Sequence, residues 1–169
     1  MVKILIAITF CLWSINLNAQ VLPLVERQVV YEQIDSVSGS NDELFLRSKK
    51  WLVNAFRSAK DVIQLDDKES SKLMGKGSDS YYFEEGFNKW PVTSIIYFTL
   101  QIDIRDNKAR IRIFNIEEGK ERDVAKPIET YEYYPKKIKP KIEQKINEKM
   151  LGLLASFKTG ISKSATDNF

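Results

Sequence analysis

The chain contains no histidine and a single cysteine in 169 residues. Without imidazole there is no Ser-His-Asp triad, no Cys-His pair and no histidine-ligated metal. One thiol excludes an intrachain disulfide and a cysteine-built zinc cluster. Charge of one sign is also scarce. The 26 Lys and Arg against 23 Asp and Glu leave +3, too small a surplus to point to nucleic acid. Nor is there a long hydrophobic run: residues 4–13 form the greasiest stretch, interrupted only at Thr9. A run of about 10 residues is too short for roughly 30 Å of hydrocarbon. No segment repeats and no linker divides the chain. The length suits one domain that buries roughly two-thirds of its unfolded surface.

The short apolar run has the pattern of a secretory signal peptide. Met1-Val2-Lys3 supplies the positive start, residues 4–13 the core, and Ala19 a small residue at the cut. Residues 1–19 are therefore expected to be removed and the protein to be exported, to the periplasm or beyond. Lipidation at Cys11 is the competing reading. A lipidation site wants a small residue before the cysteine, however, and Phe10 stands there. Cleavage after Ala19 removes the only Cys and Lys3. The mature chain then has neither thiol nor imidazole, and 25 basic against 23 acidic residues give +2. Such an exported domain is held by its core alone.

The mature chain reads as one α+β domain over residues 20–161, with 162–169 as a tail. Residues 29–37, rich in Val, Tyr and Ile, predict a first strand. Ser40 with Glu43 has capping-box spacing ahead of an apolar run. Over residues 41–60, Leu44, Phe45, Trp51, Leu52, Ala55, Phe56 and Ala59 share one arc, with Arg47, Lys50, Asn54 and Arg57 opposite. That is an amphipathic helix wide enough to lie on a sheet. Residues 61–66 and 71–76 flank a polar turn and predict a hairpin. Residues 78–91 are aromatic but irregular and read as a loop with strand character near 80–83.

The plainest signal follows. Ile96, Phe98, Leu100, Ile102 and Ile104 alternate with polar residues, as do Ala109, Ile111 and Ile113. With Asp106-Asn107 as a two-residue turn, Ile104 faces Ala109, Ile102 faces Ile111 and Leu100 faces Ile113, while Asp103 meets Arg110. A short strand is expected around residues 128–133. Pro140 then opens a long helix whose buried face runs through Ile138, Ile142, Ile146, Met150, Leu153, Leu154, Phe157 and Ile161. Gly160 reads as its C-terminal cap.

Particular stretches carry a resemblance. They include Leu22-Pro23, Val37-Ser38-Gly39, Asp42-Glu43-Leu44, Arg47-Ser48-Lys49-Lys50-Trp51, Asp67-Lys68-Glu69 and Gly75-Lys76-Gly77, together with residues 56–64. Over about residues 22–114 the chain resembles a family of exported bacterial proteins described as a domain of unknown function with a TBP-like (TATA-binding-protein-like) fold. The resemblance implies a curved antiparallel sheet of four to five strands with two amphipathic helices on one face. The family brings no catalytic motif to transfer, and its fold name gives no licence for DNA binding.

Two surfaces are candidates. The sheet face opposite the helices would present Tyr97, Thr99, Gln101, Asp103, Arg105, Lys108, Arg110 and Arg112, either as a binding surface for a protein or an anionic ligand or as an ordinary solvated face. Lys136, Lys137, Lys139 and Lys141 cluster where the last helix starts, against its dipole. They suit an acidic partner or an anionic membrane surface, or serve solubility alone. Tyr81, Tyr82, Phe83, Trp90, Tyr131, Tyr133 and Tyr134 stack on sugar rings or pack over the sheet edge. Glu84, Glu85, Glu117 and Glu118 leave one enzymatic alternative, a glycan or cell-wall hydrolase. Neighbouring carboxylates alone, however, do not make the cleft that it needs. Asp66-Asp67-Lys68-Glu69 lacks calcium-loop spacing, and Gly75-Lys76-Gly77-Ser78 lacks the spacing of a phosphate loop. No cofactor, metal or nucleic acid is expected. The reading is an exported, non-catalytic binding or envelope-accessory module for a protein or other envelope component.

Overall fold

The computed structural model describes residues 22–26, 28–56, 63–85, 90–120, 125–129 and 138–162. The signal segment at 1–19, the tail at 163–169, Lys136, Lys137, Tyr131, Tyr133 and Tyr134 lie outside the described residues. The elements are β1 (Leu24–Val25), β2 (Gln28–Val29), β3 (Tyr31–Ser36), α1 (Asn41–Ala55), β4 (Ile63–Asp67), β5 (Lys72–Glu85), β6 (Trp90–Arg105), β7 (Lys108–Lys120), β8 (Lys126–Pro127) and α2 (Lys139–Ser162).

Alternation dictates the sheet. Ile104 pairs with Ala109, Ile102 with Ile111, Leu100 with Ile113 and Asp103 with Arg110, the register that the sequence pattern requires. Asp106 (φ 50°) and Asn107 (φ 59°) are both left-handed, as a twisted two-residue hairpin turn demands. The sheet is antiparallel in the order β3-β7-β6-β5-β4, with β8 added on β7. It has six strands rather than four or five, because the two-residue β8 joins it. The β1–β2 ribbon pairs separately.

Of residues 78–91, expected to be a loop with strand character, 78–85 and 90–91 are strand, and 86–89 lie outside the described residues. β5 continues without a break to Glu85, and β6 begins at Trp90. Of the strand expected near 128–133, residues 128–129 form a tight helical turn after the two-residue β8 at Lys126–Pro127, and 130–133 lie outside the described residues.

Both helices cover one face. Leu73, Ile96, Phe98, Leu100, Ile102, Ile111 and Ile113 form the sheet side of the core. Leu44, Trp51 and Leu52 of α1, with Ile142, Ile146, Met150, Phe157 and Ile161 of α2, form the other. The helices meet through Trp51, whose ring lies 5.1 Å edge-on from Phe157 and whose Nε1 donates to Ser156 Oγ at 3.0 Å.

α1 starts at Ser40, whose hydroxyl accepts from the Glu43 amide at 3.2 Å. The Glu43 carboxylate does not reach back to close the capping box. It pairs with Arg47 instead. Ser40→Ala is expected to cost about 1 kcal/mol, the usual worth of an N-cap oxygen. Urea denaturation would measure it, and an unchanged midpoint would show that the cap contributes nothing.

Three details differ from expectation for packing reasons. α1 ends at Ala55 rather than near residue 60, because Phe56 turns extended (φ −125°, ψ 136°) and sets its ring 6.0 Å from Phe98. Gly160 lies inside α2 and is no cap: a Cβ there would sit 2.6 Å from Trp51 Cδ1. Arg47, expected in solvent, is largely buried. It donates to the Ser38 and Ile161 carbonyls, each at 3.1 Å, and so caps the C-terminal end of α2.

Candidate functional site

Because side chains alternate along a strand, the uncovered face is fixed once the core is known. It carries Glu32 and Ile34 from β3, and Arg110, Arg112 and Phe114 from β7. Tyr97, Thr99, Gln101, Asp103 and Arg105 come from β6, and Lys72, Met74, Lys76 and Tyr82 from β5. The structure thus brings together the residues expected to line it.

Most charges in the half of this face nearest the β6–β7 turn are ion-paired, whereas Lys108, opposite Arg105, is exposed and makes no ion pair among the described residues. Asp103 accepts from Gln101 Nε2 at 2.9 Å and Arg110 Nη2 at 2.9 Å, with Lys72 Nζ at 3.9 Å. Arg112 pairs with Glu32 at 3.1 Å and lies 5.8 Å above the Phe114 ring. Arg105 pairs with Asp106 at 3.3 Å. At the edge, Asp67 accepts from the Ser70 hydroxyl and amide, which holds its carboxyl below the usual carboxylate range. These charges oppose one another, although Arg112 Nε, the atom nearest Glu32, is buried without a hydrogen-bond partner among the described residues.

The other half is built differently. β7 breaks its register against β6 between Tyr97 and Thr99, and Asn115 sits left-handed there (φ 49°). The extra residue bends β7 away. β3 pairs with β7 as far as Ile113, and the pairing with β8 starts at Glu117, so between them that edge of β7 has no ladder partner among the described residues, although β2 lies beside it. Beside that gap lies a cleft of about 420 Å³ bordered by Gln28, Lys76, Tyr97, Thr99, Asn115 and Glu117. Pro127 and Glu129 wall it on the β8 side. Glu129 Oε1 accepts from the Val29 amide at 2.7 Å and ties that wall to the β1–β2 ribbon.

The polar side chains of this cleft do not partner one another. Among the described residues, Gln28, Lys76, Tyr97, Asn115 and Glu117 make no side-chain hydrogen bond or ion pair. Thr99 is an exception to the expected open surface: it is 7% exposed, at the cleft's base. Tyr97 remains 41% exposed.

The remaining candidates separate. Lys139 and Lys141 stand at the start of α2, in the layer on the opposite side of the sheet, and Lys139 lies 3.9 Å from Glu143. Tyr81 and Phe83 are buried core residues, whereas Tyr82 is exposed on the open face. Glu84, Glu85, Glu117 and Glu118 lie in strands and not in loops. Glu84 pairs with Pro91 and Glu117 with Tyr97, six residues apart along β6. That is roughly 20 Å at the strand rise, well beyond the spacing of a glycosidase pair. Glu118 is fully buried and accepts from the Tyr81 hydroxyl at 2.9 Å. Among the described residues no three acidic side chains converge as a metal site, and no helix is long and apolar enough to cross a membrane.

Gln28, Lys76, Asn115 and Glu129 were not legible as site residues. The one available signal was Lys76 between two glycines, where small neighbours leave a lone long side chain above the sheet.

A family model described as a domain of unknown function (DUF4468) with TBP-like fold matches residues 31–118. Two solved structures are similar. One, a DUF4468 family protein from Bacteroides ovatus ATCC 8483, has a TM-score of 0.71 at 13% identity, over 89% of this chain and 94% of that chain. The other, a TBP-like protein from Parabacteroides distasonis ATCC 8503, has a TM-score of 0.66 at 13% identity, over 84% of this chain and 97% of that chain. At such identity the likeness is one of fold. No curated protein matches the chain.

Proposed function

The chain belongs to the family described as a domain of unknown function with TBP-like fold (DUF4468), and from that premise we propose that it is an exported binding module that does no covalent chemistry and takes its ligand in the cleft beside the β7 bulge. One observation carries the reading. On a single sheet face, Asp103, Arg105, Arg110 and Arg112 near the β6–β7 turn each have an oppositely charged partner, Lys108 alone excepted, while among the described residues the side chains of Gln28, Lys76, Tyr97, Asn115 and Glu117 around the cleft have none. Polar groups left without protein partners stay ready to exchange water for a ligand. Export rests on the pattern of residues 1–19, with the mature chain beginning at Gln20.

The test places a photo-crosslinking residue at position 97, in the cleft, or at position 34, at the far side of the same face, and irradiates intact cells. A discrete adduct from position 97 and none from position 34 is expected. The reverse result puts the site elsewhere and overturns the proposal. Fractionation with sequencing of the mature N-terminus checks export: retention of residues 1–19 on a cytoplasmic protein would sink that part. Turnover of a glycan that disappears in Glu117→Gln would replace binding by hydrolysis.

A further inference from the structure

We infer that the cleft beside the β7 bulge is built for a neutral polyhydroxyl ligand, a mono- or disaccharide. This rests on the reading of the cleft as the ligand site and adds the ligand's chemistry.

The lining decides the class by elimination. Its charged groups are Lys76, Glu117 and Glu129. A phosphate or other anion would meet one ammonium and two carboxylates, an unfavourable sum. A hydrocarbon ligand would strip water from the same carboxylates without replacing its hydrogen bonds. A divalent cation wants several converging oxygens, and among the described residues no such group of three acidic side chains exists.

An extended peptide would have to add as a strand along the edge of β7. That edge lacks a ladder partner only between Ile113, paired to β3, and Glu117, paired to β8, and β2 already lies beside it. The left-handed Asn115 breaks the ladder inside that gap. No run of backbone groups is left for a strand to read.

A sugar fits what remains. Each sugar hydroxyl both donates and accepts. The lining offers donors and acceptors together: the Lys76 ammonium, the Gln28 and Asn115 amides, the Tyr97 hydroxyl and the Glu117 carboxylate. The half-exposed Tyr97 ring offers an apolar plate beside them, the amphipathic pairing that a pyranose ring presents in reverse. The volume of about 420 Å³ falls within the range of small-ligand sites. An open, wet cleft also favours this class, because exposed ion pairs contribute little there whereas contact with the ring remains.

The test is a titration of isotope-labelled mature protein, followed by backbone amide NMR. The probes are maltose, cellobiose, N,N′-diacetylchitobiose, trialanine and inorganic phosphate, with glycerol as a control for any small polyol. At least one disaccharide is expected to shift the amides of Lys76, Tyr97, Thr99 and Asn115, with glycerol shifting none. Tyr97→Ala should weaken that binding about tenfold, the loss of a ring contact and one hydroxyl bond. Tyr82→Ala, on the same face outside the cleft, should leave it unchanged and shows that the sheet tolerates such a change. Raising salt from 0.05 to 0.5 M should alter a neutral ligand's affinity less than about twofold.

Shifts at the cleft with trialanine or phosphate but with no disaccharide would overturn the saccharide inference and leave the cleft as the site. Disaccharide shifts confined to the β6–β7 turn, with no crosslink from position 97, would overturn the cleft reading itself. Equal shifts by glycerol and disaccharide would mean nonspecific polyol contact and would also sink the inference.

Discussion

Phe157→Ala is expected to cost about 3–5 kcal/mol, the usual range for removing a buried aromatic ring. The ring has no solvent exposure and stands 5.1 Å edge-on from Trp51, at the point where α1, α2 and the sheet meet. Its removal takes away transfer energy, contact with the indole and the support of both helices at once. At about 2–4 °C per kcal/mol for a chain of this size, the melting temperature should fall roughly 6–20 °C. Urea titration gives the free energy directly, with the slope unchanged if only stability is altered. A loss below about 1 kcal/mol would mean that α2 does not pack on the sheet through this side chain.

Gly77→Ala has the second largest expected effect. A Cβ at this position would stand 2.5 Å from Phe98 Cε2 and 2.8 Å from Phe56 Cε1. Two aromatic rings must move, and neither has a free end to swing aside. Alanine also restricts the unfolded chain, which offsets about 0.4–1 kcal/mol of the damage. The net expected loss is about 1–3 kcal/mol, as for other overpacked cores. The change should partly recover in a Phe98→Leu background, where the ring is gone. A double-mutant cycle over the four proteins measures this, and a coupling near zero would show that the rings do not crowd Gly77. Gly77 also borders the cleft, so any ligand affinity should fall together with stability.

These glycines explain what the sequence hid. Residues 78–85 did not read as strand because the inward positions before Tyr81 are Gly75, Gly77 and Asp79. Apolar alternation fails there, since the space above the sheet is filled by the Phe56 and Phe98 rings from elsewhere. Gly160 was misread for the same reason: what it accommodates, Trp51, lies far away in sequence. Arg47 looked like a solvent-facing cation because its carbonyl partners belong to the preceding loop and to a distant helix end.

Within the β6–β7 hairpin, where both members of each contact flank one short turn, the pattern sufficed, down to the Asp103–Arg110 pair. The open face was legible by alternation alone. The cleft was not, because β2, β5, β6, β7 and the β8 turn each contribute to it, and no local period links Gln28 to Lys76 or Glu117. Its marker is the bulge at Asn115, a register break that becomes visible only when both strands are paired.

The order of synthesis gives the late position of α2 a biological weight. β5, β6 and β7 are joined in succession, and their pairing needs nothing made after Lys120. The cover for much of their apolar face ends only at Ser162. At roughly 5–20 residues per second, translation leaves an interval of roughly 2–8 s between the two. During that time a nascent sheet would expose Leu73, Ile102 and Ile111 without α2. The growing chain then presents apolar surface that α2 later covers, and a chaperone has most to gain by holding it.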